Sequence, residues 1–230
     1  MNNKEKISLI SLCSFGLLSI IFTILVLFVD VKVNEINNYE IGLCSLNEKV
    51  FKAIGENHIW YVITELLGYI AILVIGVFAF FGIFQLIKRK KLKQVDLEII
   101  GLGIVYIVIF VIYVLFDKVL LVNVRPVLES GSDTYESSFP SSHTLLACVV
   151  FSSSLLEAKK LISNKFIRNN LIYVIEFLVI IMVGGRLLSG VHWLSDIIAG
   201  VLYAGTIVSC YYYVMYKLIN KQEKELGKQE

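Results

Sequence analysis

Residues 7–29 carry no charged side chain. At about 1.5 Å of rise per residue, a helix over that run crosses the ~30 Å hydrocarbon core of a bilayer. Comparable apolar runs recur at about 59–87, 97–117, 140–157, 170–185 and 196–217. The chain is 57% hydrophobic, against ~45–50% for soluble domains, so the bilayer is its expected solvent. The expectation is an all-α fold, a bundle of six transmembrane helices, in a single domain spanning 1–230.

Charge placement orients the bundle. The run Lys88-Arg-Lys-Lys-Leu-Lys93 follows the second span, and Lys159, Lys160, Lys165 and Arg168 follow the fourth. Between apolar spans, such basic runs act as cytoplasmic stop signals rather than nucleic-acid sites. Counting spans then puts both termini in the cytoplasm of a multi-pass cell-membrane protein. The first apolar run has no small-residue cleavage site after it, so it is expected to remain as a span. Between spans one and two, Leu43, Leu46, Val50, Phe51 and Ile54 recur at helical spacing. They predict an amphipathic helix, lying either on the membrane surface or packed on the bundle. Trp60 and Tyr61 suit an interfacial anchor at the start of span two. The four cysteines show neither metal-ligand spacing nor a disulfide framework.

Three polar clusters interrupt the apolar pattern. The first holds Lys118 and Arg125-Pro126, the second Pro140-Ser141-Ser142-His143, the third Arg186, His192 and Asp196. They follow spans three and five, so the span count brings them to one face, directed outward. Lys118 and Arg125 lie seven apart; in a helix that is about 10.5 Å along one face. Such a pair either grips an anion or snorkels to headgroups. Pro140 suits the first turn of a helix, capped by Ser137 or Ser138, whose free N–H groups at Ser141 and Ser142 would form an anion site. His143 stands beside them, placed to give a proton to a leaving oxygen. His192 and Asp196 are i and i+4, so the carboxylate can orient the imidazole and leave its other nitrogen free to attack. Gly184, Gly185 and Gly190 would let backbone approach an anion.

In order and spacing the three clusters resemble the type 2 phosphatidic acid phosphatase superfamily. Its pattern is Lys, six residues, Arg-Pro; then Pro-Ser-Gly-His; then Ser-Arg, five residues, His, three residues, Asp. The resemblance covers Lys118 to Asp196. It implies that His192 is the nucleophile forming a phosphohistidine, that Asp196 orients it, and that His143 protonates the leaving group. Lys118, Arg125, Arg186, Ser141 and Ser142 would hold the phosphoryl oxygens, with no metal and no cofactor. Ser142 stands where the family has Gly, and Gly185 where it often has Ser. The implied activity is hydrolysis of a lipid phosphate such as phosphatidate, phosphatidylglycerophosphate or undecaprenyl diphosphate. The partners would be that substrate and membrane lipids, not nucleic acid.

Glu65, with Thr64, falls inside span two and Glu176 inside span five. Intramembrane carboxylates are functional candidates by default. The favoured expectation for both is helix–helix hydrogen bonding, with Glu65 nearer the pocket. A transporter or flippase would use the same groups as a path, and a non-catalytic scaffold would leave them idle. Continuous spans one, two, three and six argue against the first, and the cost of buried charge against the second.

Overall fold

The computed structural model describes residues 3–128 and 133–226. Seven helices account for most of them: α1 (Asn3–Phe28), α2 (Cys44–Ile54), α3 (His58–Arg89), α4 (Leu97–Val114), α5 (Ser142–Leu161), α6 (Lys165–Leu188) and α7 (Leu194–Leu226). Five are long and apolar enough to cross a membrane: α1, α3, α4 with the π turn that ends it at 115–119, α6 and α7. The apolar part of α5, Ser142–Leu155, is shorter. Each lies where the apolar pattern predicts it, with most ends shifted by five residues or fewer and α7 running nine residues past its expected end.

Local chemistry sets several boundaries. Asn57 caps α3, its side chain accepting from the N–H of Ile59 and Trp60, and Asn164 caps α6 in the same way. These bonds satisfy donors that a helix start leaves open. Outward faces are apolar, with Phe28 78%, Leu73 67% and Ile180 67% exposed. In water that surface would drive aggregation; against acyl chains it is matched.

Helix α5 is central, packing on α3, α4, α6 and α7, and its Leu145, Ala147, Val149 and Val150 are buried. Helix α1 lies along α7, where Ser19 Oγ meets Thr206 Oγ1 at 3.0 Å and Thr23 Oγ1 meets the Tyr203 hydroxyl at 3.0 Å. The side chains of Lys159 and Lys160 lie outside the described residues.

Residues 29–57 build a cover over one end of the bundle. A short antiparallel hairpin, β1 (Lys32–Val33) with β2 (Glu40–Ile41), precedes α2; the apolar pattern had no sign of it. The amphipathic helix is present as α2. Its Cys44 joins Ile41 and Trp193 in a small core, and Phe51 lies 5.7 Å from the Trp193 ring. Of the two placements open from sequence, the packed one is realised, with Leu46 left exposed.

Glu176 departs from expectation. It is exposed on α6, beside Tyr173 and Phe177 on the outward face. Hydropathy marks it as intramembrane but not which side of the helix it occupies.

Candidate active site

Backbone hydrogen bonds stitch the three clusters together at the covered end. Val124 pairs with Ser137 as an antiparallel bridge; beside it the Arg125 N–H donates to Glu136 O and the Ser138 N–H to Asn123 O, each at 2.9 Å. This joins the first cluster to the second. The Ser141 N–H donates to Asp196 O at 2.9 Å, joining the second to the third. Asn123 Nδ2 reaches Asp196 Oδ1 at 3.1 Å, joining the third to the first.

These stitches correct three expectations. Lys118 and Arg125 do not share a helix face, because the π turn ends at Val119 and the segment to Arg125 is non-helical. The Lys118 side chain is 74% exposed and pairs with its neighbour Asp117 at 2.7 Å, so it does not meet Arg125 at the site. Nor is the Ser141 N–H open to an anion, since Asp196 O takes it. Finally, α5 starts at Ser142, and Pro140 precedes the helix rather than occupying its first turn. Ser141, rather than Ser137 or Ser138, directly precedes the helix; its carbonyl accepts from the Leu145 N–H at 2.9 Å and its Oγ lies 3.0 Å from Thr144 Oγ1.

The remaining site residues do converge. Arg125, Ser142, His143 and His192 line one cavity of about 480 Å³, with Glu136 at its edge. Arg125 pairs with Glu136 at 3.2 Å. His192 sits in the turn between α6 and α7, just ahead of the first helical residue. Asp196 accepts from the Trp193 N–H at 2.9 Å, the backward reach of a capping-box residue that starts α7. The carboxylate is 3.8 Å from His192 Nδ1, beyond hydrogen-bond length, so it faces the ring as a neighbouring charge. Burial first, then the positive charges of Arg186 and Arg125, hold the His192 imidazole well below its ordinary value. The ring is therefore neutral near pH 7, the form with a free nitrogen lone pair.

Arg186 is fully buried. Its Nη1 donates to Glu65 Oε1 at 3.0 Å and to Thr64 Oγ1 at 3.2 Å, and its guanidinium lies 5.7 Å from the Tyr61 ring. Nη2 is 3.5 Å from His192 Nε2, while Nε is buried without a hydrogen-bond partner. A buried guanidinium with an unused donor beside a neutral histidine is equipped to receive an oxyanion. Glu65 also meets His143 Nε2, at 3.2 Å. Glu65 thus does bond between helices, as expected, and both of its partners are site residues.

Gly185 and Gly190 serve packing rather than anion approach, while a Cβ at Gly184 would meet nothing within 4 Å. A Cβ at Gly185 would lie 2.8 Å from Thr64 Cγ2 and 2.9 Å from Trp60, and one at Gly190 (φ +73°) would lie 2.4 Å from Gly55 O. Trp60 thereby acts as a contact for α6 in addition to its place at the helix start. Sequence reading missed Tyr61, Asn123 and Glu136. Asn123 and Glu136 carry no spacing signal. Tyr61 does, since Tyr61, Thr64, Glu65 and Gly68 fall at i, i+3, i+4 and i+7 on one face of a span.

Residues 121–220 match the model of the PAP2 superfamily. The fold is similar to the crystal structure of a transmembrane PAP2-type phosphatidylglycerolphosphate phosphatase from Bacillus subtilis. The TM-score is 0.57 at 17% identity, over 92% of this chain and 96% of that one. A comparison with curated proteins finds no match. His143, Arg186, His192 and Asp196 all lie within the stretch that matches the PAP2 superfamily model.

Proposed function

We propose that this protein is a phosphatase of membrane-lipid phosphate esters, working at the cavity shared by Arg125, Ser142, His143 and His192. The observation that carries the proposal is that cavity: a neutral histidine, a second histidine and a cation line one space, with the buried Arg186 3.5 Å from His192. Its other walls are apolar, including Tyr69, Ile72, Ile109 and Phe110, and Tyr69 and Phe110 are also exposed on the outside of the bundle. A phosphate at the polar end and an acyl or prenyl chain along the apolar walls suit an amphiphile.

In the proposed reaction, His192 Nε2 attacks phosphorus, and the bond to the ester oxygen breaks with its electron pair. The departing alkoxide takes a proton from His143. Arg186 and Arg125 stabilise the charge on the non-bridging oxygens as it develops. Water then attacks the phosphohistidine, losing its proton to His143, and the N–P bond breaks to release inorganic phosphate. Fixed cations supply the charge stabilisation here, so no metal or cofactor enters. The basic connections favour cytoplasmic termini and a site facing outward.

Purified protein in detergent is to be tested for phosphate release from phosphatidate, phosphatidylglycerophosphate and undecaprenyl diphosphate, with and without a chelator. Release from at least one, vanadate inhibition, and a loss of about a thousandfold or more in His192→Ala are expected. No release from any, or unchanged turnover in His192→Ala, refutes the reading.

A further inference from the structure

The α3 segment Tyr61–Gly68 lies outside all three sequence clusters, yet it touches both the proton-carrying and the anion-gripping side chains. One oxygen, Glu65 Oε1, is 3.2 Å from His143 Nε2 and 3.0 Å from Arg186 Nη1. Beside it, Gly68 faces the same imidazole: a Cβ there would stand 2.7 Å from His143 Cδ2. Glu65 and Gly68, one helical turn apart, thus form a seat for the His143 ring, one supplying the acceptor and the other the room.

We propose that Glu65 is a positioning residue that sets which nitrogen of His143 transfers the proton and locks that histidine to Arg186. Resting on the phosphatase reading, this adds a fourth element to its site. A guanidinium can only donate, so the oxygen it shares with His143 acts as an acceptor, and Nε2 carries a hydrogen toward it. His143 Nδ1, buried with no hydrogen-bond partner, is then the nitrogen that serves the leaving oxygen. When Nδ1–H gives up its proton, Nε2–H remains on Glu65 and the ring ends neutral. The balance needs no other group, and the same Glu65 oxygen keeps Arg186 aimed beside His192.

The leaving group separates this role from a structural one. An alkoxide needs a proton as it departs; 4-nitrophenolate, a weak base, does not. Glu65→Gln keeps the shape of the side chain and removes its charge. Gly68→Ala keeps the charge, crowds the ring, and leaves the Arg186 contact alone. Turnover of the wild type and both variants is measured on a long-chain alkyl phosphate and on 4-nitrophenyl phosphate. Each variant is expected to lose about a hundredfold on the alkyl ester and less than about fivefold on the aryl ester, because the amide oxygen that Glu65→Gln retains still accepts from Arg186. Equal loss on both esters, or wild-type turnover of Glu65→Gln on the alkyl ester, overturns the proposal. Should Glu65→Gln not fold, Gly68→Ala decides by the same comparison. Wild-type phosphate release tests the phosphatase reading by itself, whereas the ratio between esters in the variants tests Glu65.

Discussion

His192 shows how burial prepares a group for chemistry. It is 3% exposed, and the cations that would hold a phosphate also oppose its protonation. Its folded-state value therefore lies below the ~6.5 of an unfolded chain. Below about pH 6.5 the unfolded state binds the proton more readily, so this group's contribution to stability is intact above that pH and is lost as pH falls toward the folded value. For activity the same shift keeps the proposed nucleophile neutral into mildly acid solution. The acid limb of kcat/KM, corrected for titration of the substrate phosphate, is expected to have its midpoint below about 6.5. A midpoint above that in steady-state pH profiles would remove His192 from the nucleophile's role.

At the scale of elements, the site is held by the cover as much as by the spans. Asn47, fully buried on α2, donates to Gly42 O at 2.9 Å and to Ser195 Oγ at 2.9 Å, and accepts from the Ser195 N–H at 3.1 Å. Ser195 adjoins Asp196, so α2 is coupled through one side chain to the start of α7. Trp193 adds a second tie, its Nε1 donating to Val124 O at 2.7 Å. Asn47→Ala removes the acceptor of the buried Ser195 N–H, which costs about 1–3 kcal/mol, while the Ser195 hydroxyl keeps Asn123 as a partner. The expected result is a lower melting temperature in detergent and reduced turnover; an unchanged melting curve would show that the cover is not coupled to α7.

For the whole molecule, the apolar exterior requires a bilayer, and the proposed orientation of the bundle rests on the basic runs. The clamp of Arg89 on Asp96 at 2.7 Å closes the turn after α3, leaving Lys90, Lys91 and Lys93 exposed. At the other end of α3, the hairpin cover leaves Glu35 exposed. In a cysteine-free background, Glu35→Cys is expected to react with a membrane-impermeant maleimide in intact cells, and Lys91→Cys only after permeabilisation. The reverse pattern would turn the site toward the cytoplasm.

Sequence alone determined the helices and the spacing of His192 and Asp196, because hydropathy and the helical period are local properties that survive without neighbours. It also told that Arg125, His143, Arg186 and His192 belong together, through their order and the parity of the spans. It could not tell that Lys118 turns outward to Asp117, that the Ser141 N–H is spent on Asp196 O, or that Glu65 holds two site residues at once. Those outcomes depend on which groups meet across helices distant in the chain. A hydrogen-bond partner is chosen by distance and direction in space, which spacing along one strand of sequence does not contain.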